Sequence, residues 1–176
     1  MLYLRHADKQ YANGNSKMFP LDPGITKKGK EKIITLVPYY IKKYGTPSTI
    51  ISSPYYRTRQ TTSIIASTIY NITGKTVNVS YDSIIGEYLG HQKIQNIATC
   101  LRPETLSYAP IYLETWEQYI TRITEHKQDT ENSKNNIWYV THGLLIQSIS
   151  SLYGKKIEYP GSLQGFYIDN GDIIIE

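Results

Sequence analysis

Met1-Leu-Tyr-Leu-Arg-His-Ala-Asp8 is the stretch from which the fold can be read. Residues 1–4 form a short apolar run, a strand by length and content, and Arg5 and His6 follow where such a strand ends. In open α/β sheets, ligands bind outside the carboxyl ends of the strands. A guanidinium beside an imidazole at that place suits the holding and attack of an anion. Taken alone, the pair is equally a structural histidine next to a surface arginine, and the rest of the chain decides between the two.

Residues 8–24 carry Asn13-Gly14-Asn15-Ser16, Pro20 and Asp22-Pro23-Gly24 without a steady period. That predicts a loop leaving directly from Arg5-His6, where it can wall a site. Thr26 is an N-cap candidate. After it Ile33, Leu36, Val37, Tyr40, Ile41 and Tyr44 recur at helical spacing until Gly45 and Pro47; Pro38 should kink or shorten this helix. Thr-Ile-Ile-Ser over 49–52 predicts a buried strand closed by Ser53-Pro54. A second helix is predicted over 56–72, with Ile64, Ile65, Ile69 and Ile72 on one side and Gly74 after it. A strand is predicted over 76–80, an irregular stretch over 82–91 and a short helix near 93–101. The helix predicted over 113–127 turns Trp116, Tyr119, Ile120 and Ile123 inward, and a polar turn follows over 128–136. A strand over 137–141 leads into a helix over 144–153. Residues 161–165 read as loop, and strands over 166–169 and 173–176 flank an Asn170-Gly171 hairpin turn. Strands alternating with helices predict an α/β fold: three layers, with a mostly parallel sheet flanked by helices on both faces. With neither internal repeat nor linker, residues 1–176 are expected to form a single domain.

The composition narrows the function classes. Of 176 residues, 40% are apolar and 19% charged, an ordinary balance for a globular chain. No apolar run is long enough for a membrane span, and no signal-peptide pattern is visible. Cys100 is the one cysteine, so an internal disulfide is excluded and a cytoplasmic location is expected. The sequence around it, Ala98-Thr-Cys-Leu-Arg102, matches no thiol-enzyme pattern and reads as an inert thiol. The net charge of +4 suits a small anionic substrate and is weaker than a nucleic-acid footprint. Lys27-Lys28-Gly29-Lys30 reads as a solvated helix start, and the 17 Tyr read as compositional bias, not a stacking platform. Among His6, His91, His126 and His142 there is no closely spaced ligand pair, so no metal centre is expected; His91 and His126 read as surface residues.

Three strand ends then carry the same kind of group. The first ends in Arg5-His6. The second ends in Ser52-Ser53-Pro54 and feeds a helix whose first turn holds Arg57 and Arg59, and a later one ends in Thr141-His142-Gly143. In a parallel sheet these ends share one edge, so two imidazoles and two or three guanidiniums converge there. Guanidinium is permanently charged and forks onto phosphate oxygens. The helix N-terminus at Tyr56 adds partial positive charge.

Leu4-Arg-His-Ala-Asp8, Ser53-Pro-Tyr-Tyr-Arg-Thr-Arg-Gln-Thr61 and Val140-Thr-His-Gly143, in that order, resemble the histidine phosphatase superfamily, also called phosphoglycerate-mutase-like, and its short phosphatase branch in particular. Asp22-Pro-Gly-Ile-Thr-Lys-Lys-Gly29 resembles the family segment before the first helix. The resemblance spans essentially the whole chain and implies a phosphoglycerate-mutase-like fold. It implies that His6 takes the phosphoryl group as phosphohistidine, that Arg5 and Arg57 clamp phosphate, and that His142, with Gly143, binds phosphoryl oxygens and stabilises the transition state. Glu87, in Ile84-Ile-Gly-Glu-Tyr-Leu-Gly90, falls where the family keeps its acid, which protonates the leaving oxygen and then activates water. Arg59 and Asp82 are the rivals to Arg57 and Glu87. No cofactor is implied. Ala7 replaces the family's usual Gly, and Lys9 stands where the mutases carry Ser, a departure that favours phosphatase over mutase.

Elementary chemistry agrees. Imidazole is a nucleophile only when neutral, and neighbouring guanidiniums disfavour its protonated form. Phosphoryl transfer asks for in-line placement and positive charge on the equatorial oxygens. The expected activity is metal-independent phosphomonoester hydrolysis. The alternatives are a phosphoglycerate-type mutase and a non-catalytic phosphate- or phosphopeptide-binding module. The expected partner is a small-molecule or peptide phosphomonoester, with neither nucleic acid nor membrane involved; phosphopeptide, sugar phosphate and nucleotide all stay open.

Overall fold

In the computed structural model, residues 1–10, 19–90, 97–107, 113–131, 135–169 and 171–176 are described. Six strands form one sheet: β1 (Leu2–Arg5), β2 (Thr49–Ser52), β3 (Asn78–Tyr81), β4 (Ile137–Thr141), β5 (Gly165–Asp169) and β6 (Asp172–Ile175), in the order β3-β2-β4-β1-β5-β6. β3, β2, β4 and β1 run parallel, whereas β5 is antiparallel to both β1 and β6. The helices are α1 (Lys27–Tyr44), α2 (Tyr56–Thr73), α3 (Ile97–Cys100), α4 (Pro103–Leu106), α5 (Trp116–Glu131) and α6 (Gly143–Leu152), with a 3-10 turn at Ser83–Ile85.

The period-2 alternation of the inner strands β1, β2, β4 and β5 builds two cores. On one face Leu2, Leu4, Ile50, Trp138 and Val140 meet Ile33, Val37 and Tyr40 of α1 and Ile65 and Ile69 of α2. On the other, Tyr3, Tyr139 and Phe166 meet Tyr119 and Ile123 of α5 and Leu145, Ile146 and Ile149 of α6. A one-residue slip of β1 would exchange Tyr3 for Leu2 and Leu4, so the register is strongly specified. Gly165 permits the closest approach: a Cβ there would lie 1.8 Å from the Tyr3 carbonyl oxygen. The parallel arrangement places the carboxyl ends of β1, β2, β3 and β4 on one edge, as the strand-end reading requires. Backbone bonds hold the loops that leave them: His6 N–H to Thr141 at 3.0 Å, Ser53 N–H to Val140 at 3.0 Å and Asp82 N–H to Ser52 at 2.9 Å.

Several expectations need correction. Pro38 does not shorten α1, which continues to Tyr44. Pro38 is exposed, and the carbonyl it frees belongs to exposed Ile34, on the side where water can bond it. The strand expected over 76–80 is Asn78–Tyr81 and is exposed throughout, an edge strand lying beside β2. Helix α5 starts at Trp116 and runs to Glu131, past the polar residues that suggested a turn; Trp116 is half exposed, meeting Tyr88 edge-on and lying tilted against Tyr119 at the helix start. α4, with Pro103 in its first turn, was not anticipated. Asn170 and the stretches 91–96 and 108–112 lie outside the described residues. No helix among the described residues is long and apolar enough to cross a membrane.

Candidate active site

Arg5 is the last residue of β1 and His6 the first beyond it. The His6 ring is buried, and its Nδ1 lies 2.7 Å from its neighbour's carbonyl, that of Ala7. A carbonyl only accepts, so Nδ1 carries the proton and Nε2 keeps the lone pair. Burial pushes the His6 imidazole well below its ordinary pKa, and the charge of Arg57 pushes the same way, helped by Arg5 and Lys9. The ring is therefore neutral at neutral pH, with Nε2 as its free nucleophilic atom.

His142 follows β4 and precedes α6; its ring centroid lies 5.5 Å from that of His6. It is fully buried and pushed well below the usual imidazole range by burial, then by Arg57 and His6. Arg57 Nη2 donates to Nδ1 at 3.2 Å, which leaves the Nε2–H to donate to Ser53 Oγ at 2.8 Å. In this arrangement His142 offers no proton at Nδ1. Ser53 can reverse its role, because a hydroxyl both donates and accepts, and His142 then presents Nδ1–H to an oxyanion.

Arg57, in the first turn of α2, joins the groups. It is buried and bonds Glu87, His142 and the Leu21 carbonyl, the last at 3.1 Å. Its guanidinium also lies 4.7 Å over the Tyr55 ring. Glu87 is 28% exposed at its side chain, so its carboxylate faces solvent on one side and Arg57 on the other, 3.9 Å from His142 Nδ1. Its segment is pinned from below: Ile85 is buried, its carbonyl accepts from Thr141 Oγ1 at 2.7 Å, and Arg122, paired with buried Glu114, bonds the Ile84 carbonyl. Arg5 sits at the rim, donating to the Pro160 carbonyl at 2.8 Å beneath the Tyr159 ring. Gly143 opens α6 with Tyr159 packed against it.

The structure thus brings His6, His142, Arg57 and Glu87 together, and Arg5 and Gly143 adjoin the two histidines in the chain. Asp82 is not at this centre in the role of Glu87; it caps the 3-10 turn, accepting from Ile84 N–H at 2.8 Å. The Arg59 guanidinium lies over the Tyr56 ring. His126 is not a surface residue: it is buried, its Nε2 3.1 Å from the Tyr3 hydroxyl. His91 lies outside the described residues. Among the described residues, no group of three or more His, Cys, Asp or Glu could hold a metal ion.

Three residues support the site in ways the sequence does not mark. Asp22 is fully buried, accepts from Tyr56 N–H at 2.6 Å and from Thr105, and lies 3.9 Å from Arg57. It caps α2 from another part of the chain, and its charge suits a helix N-terminus. In sequence, Asp before Pro-Gly reads as a turn ahead of α1, with nothing to mark it as a cap for α2. Thr61 ties the Ala7 N–H to α2, accepting it at 3.1 Å while donating to the Arg57 carbonyl. Ser53 orients His142 as described.

A family model, histidine phosphatase superfamily (branch 1), matches residues 1–175. No curated protein matches in sequence. Solved structures similar to the chain include YhfR of Bacillus stearothermophilus (16% identity, 98% of this chain and 93% of the other, TM-score 0.65). Also similar are the ecdysone phosphate phosphatase of Bombix mori (12% identity, 99% and 91%, TM-score 0.67) and a phosphoglycerate mutase from Bacillus anthracis str. Sterne (18% identity, 99% and 90%, TM-score 0.61). At these identities the likeness establishes the fold.

Proposed function

This chain belongs to branch 1 of the histidine phosphatase superfamily, and we propose that it hydrolyses phosphomonoesters through a phosphohistidine on His6. The observation that carries the reading is the 2.7 Å contact of His6 Nδ1 with the Ala7 carbonyl, which puts the proton on Nδ1 and leaves the lone pair on Nε2, in a ring 5.5 Å from that of His142 and close enough to Arg57 to feel its charge. Nε2 attacks phosphorus as the bond to the leaving oxygen breaks. Glu87, a carboxylate while paired with Arg57, takes a proton from solvent once Arg57 turns to the phosphoryl group and gives it to that oxygen. Arg5, Arg57 and His142 hold the non-bridging oxygens, with the N–H groups at the start of α6 nearby. Water then loses a proton to the Glu87 carboxylate and attacks phosphorus. The P–N bond breaks with its electron pair returning to Nε2, so phosphate leaves and Glu87 is reprotonated.

A phosphoglycerate-type mutase shares the first half-reaction and differs in what receives the phosphoryl group. Isomerisation of a phosphosugar acid, with and without its bisphosphate primer, separates the two. Lys9 in place of the mutase Ser supports hydrolysis, and a cytoplasmic setting accords with the single cysteine. The direct test is turnover of an aryl phosphate, in EDTA, by wild type and His6→Ala. Chelator-resistant turnover that is lost with His6 supports the reading. Undiminished turnover by His6→Ala refutes it.

A further inference from the structure

We infer that Tyr159 forms one wall of the leaving-group subsite and selects phosphomonoesters whose phosphate is carried on an aromatic ring. The inference rests on the phosphatase reading for where the phosphate lies. Two contacts place the ring. The Arg5 guanidinium lies 4.8 Å from its centroid. A Cβ on Gly143 would fall 2.3 Å from Tyr159 Cζ and 2.6 Å from its hydroxyl, so the phenol is packed directly on the first residue of α6. Arg5 and Gly143 flank the phosphate position, and Tyr159 bridges them.

The ring is anchored yet open. On one side of it the Ile157 carbonyl accepts from Gln147 of α6 at 3.2 Å; on the other, the carbonyl of buried Pro160 accepts from Arg5 at 2.8 Å. Between these ties Tyr159 remains 53% exposed, so a large part of the ring is bare beside the phosphate-holding groups. A large aromatic surface left in water at the rim of an anion site is suited to stack a flat leaving group. Gly143 is required by this packing: any side chain there displaces the ring.

The test measures binding, which does not depend on turnover. Phenylphosphonate and methylphosphonate are titrated by calorimetry into wild type, Tyr159→Phe and Tyr159→Ala. Wild type and Tyr159→Phe should prefer the phenyl compound by roughly 2- to 10-fold, the range for an aromatic pair, and Tyr159→Ala should bind both alike. Taking the ratio of the two ligands removes any general loss from the altered Arg5 neighbour. A ratio unchanged by Tyr159→Ala, or wild type that does not prefer the phenyl compound, overturns the inference. Failure of the phosphatase reading shows separately, as wild type that binds the phosphonates but turns over no phosphomonoester. Free phosphotyrosine and phenyl phosphate carry the same ring. Their competition against phenylphosphonate shows whether the subsite also takes the amino-acid backbone, and failure of both to compete overturns the inference.

Discussion

Replacing Arg57 with Met, similar in length but uncharged, removes the group that joins the site. The guanidinium is buried and serves four partners at once: Glu87, the Leu21 carbonyl at 3.1 Å, His142 Nδ1 at 3.2 Å and Asp22 at 3.9 Å. Removing one member of a buried ion pair costs about 3–5 kcal/mol. The lower end applies here. Glu87 is 28% exposed and regains water, and Asp22 keeps its bonds from Tyr56 N–H and Thr105. A loss of about 3 kcal/mol lowers Tm by roughly 6–12 °C in a domain of this size. On the reaction, loss of a preorganised charge on the phosphoryl oxygens should lower kcat/KM by roughly 10²–10³. A third effect has a defined sign. Arg57 is the leading charge holding both imidazoles below their ordinary pKa. Without it both pKa values rise, and the acid limb of kcat/KM, where His6 becomes protonated, moves to higher pH. Thermal unfolding and aryl phosphate hydrolysis across an acid-to-neutral series measure all three. A folded Arg57→Met enzyme with kcat/KM within threefold of wild type and an unmoved acid limb would refute the reasoning.

Other outcomes follow from the same contacts. Glu87→Gln removes the proton donor and acceptor while keeping the side chain's size; steady-state turnover should fall roughly 10²–10⁴-fold, checked with an alkyl phosphate whose leaving group needs the proton. Gly165→Ala drives a methyl into the Tyr3 carbonyl, 1.8 Å away, and should destabilise by more than about 3 kcal/mol or prevent folding, read by denaturant unfolding. Acid should weaken the fold through His6, His142 and His126, all depressed by burial. The unfolded chain binds protons at about pH 6.5 while the folded chain does not. Stability should therefore be level above that value and fall as pH drops toward the folded pKa values, by up to about 1.4 kcal/mol per pH unit for each histidine. An unfolding free energy that stays flat or rises over that acid range would contradict this.

The parts of the site legible in the sequence sit where a strand ends and the chain changes character. Arg5-His6, Ser53-Pro54 with Arg57, and Thr141-His142-Gly143 each follow a short β-rich run, and a parallel sheet brings such ends together. Glu87 was legible only through the family resemblance, which keeps an acid in the stretch Ile84-Ile-Gly-Glu-Tyr-Leu-Gly90. What was not legible depends on partners distant in the chain. Asp22 looked like a turn residue because the helix it caps starts at Tyr56. His126 looked exposed on a polar helix because Tyr3, whose hydroxyl it meets, lies on β1, 123 positions away in the chain. Tyr159 was one Tyr among 17, with no periodic signal in its irregular segment. The hairpin of β5 and β6 was visible in Asn170-Gly171, but its place against β1 arises from pairing that local propensity does not encode.

The central claim concerns one atom, Nε2 of His6. The most direct measurement mixes enzyme with an aryl phosphate, quenches it in alkali within the first turnovers and maps the added phosphoryl group by mass spectrometry. The account expects one acid-labile, alkali-stable phosphoryl group on the peptide containing His6, accumulating further in Glu87→Gln and absent from His6→Ala. Turnover with no phosphoryl group on His6 in wild type or Glu87→Gln, or a label on another residue, would contradict it.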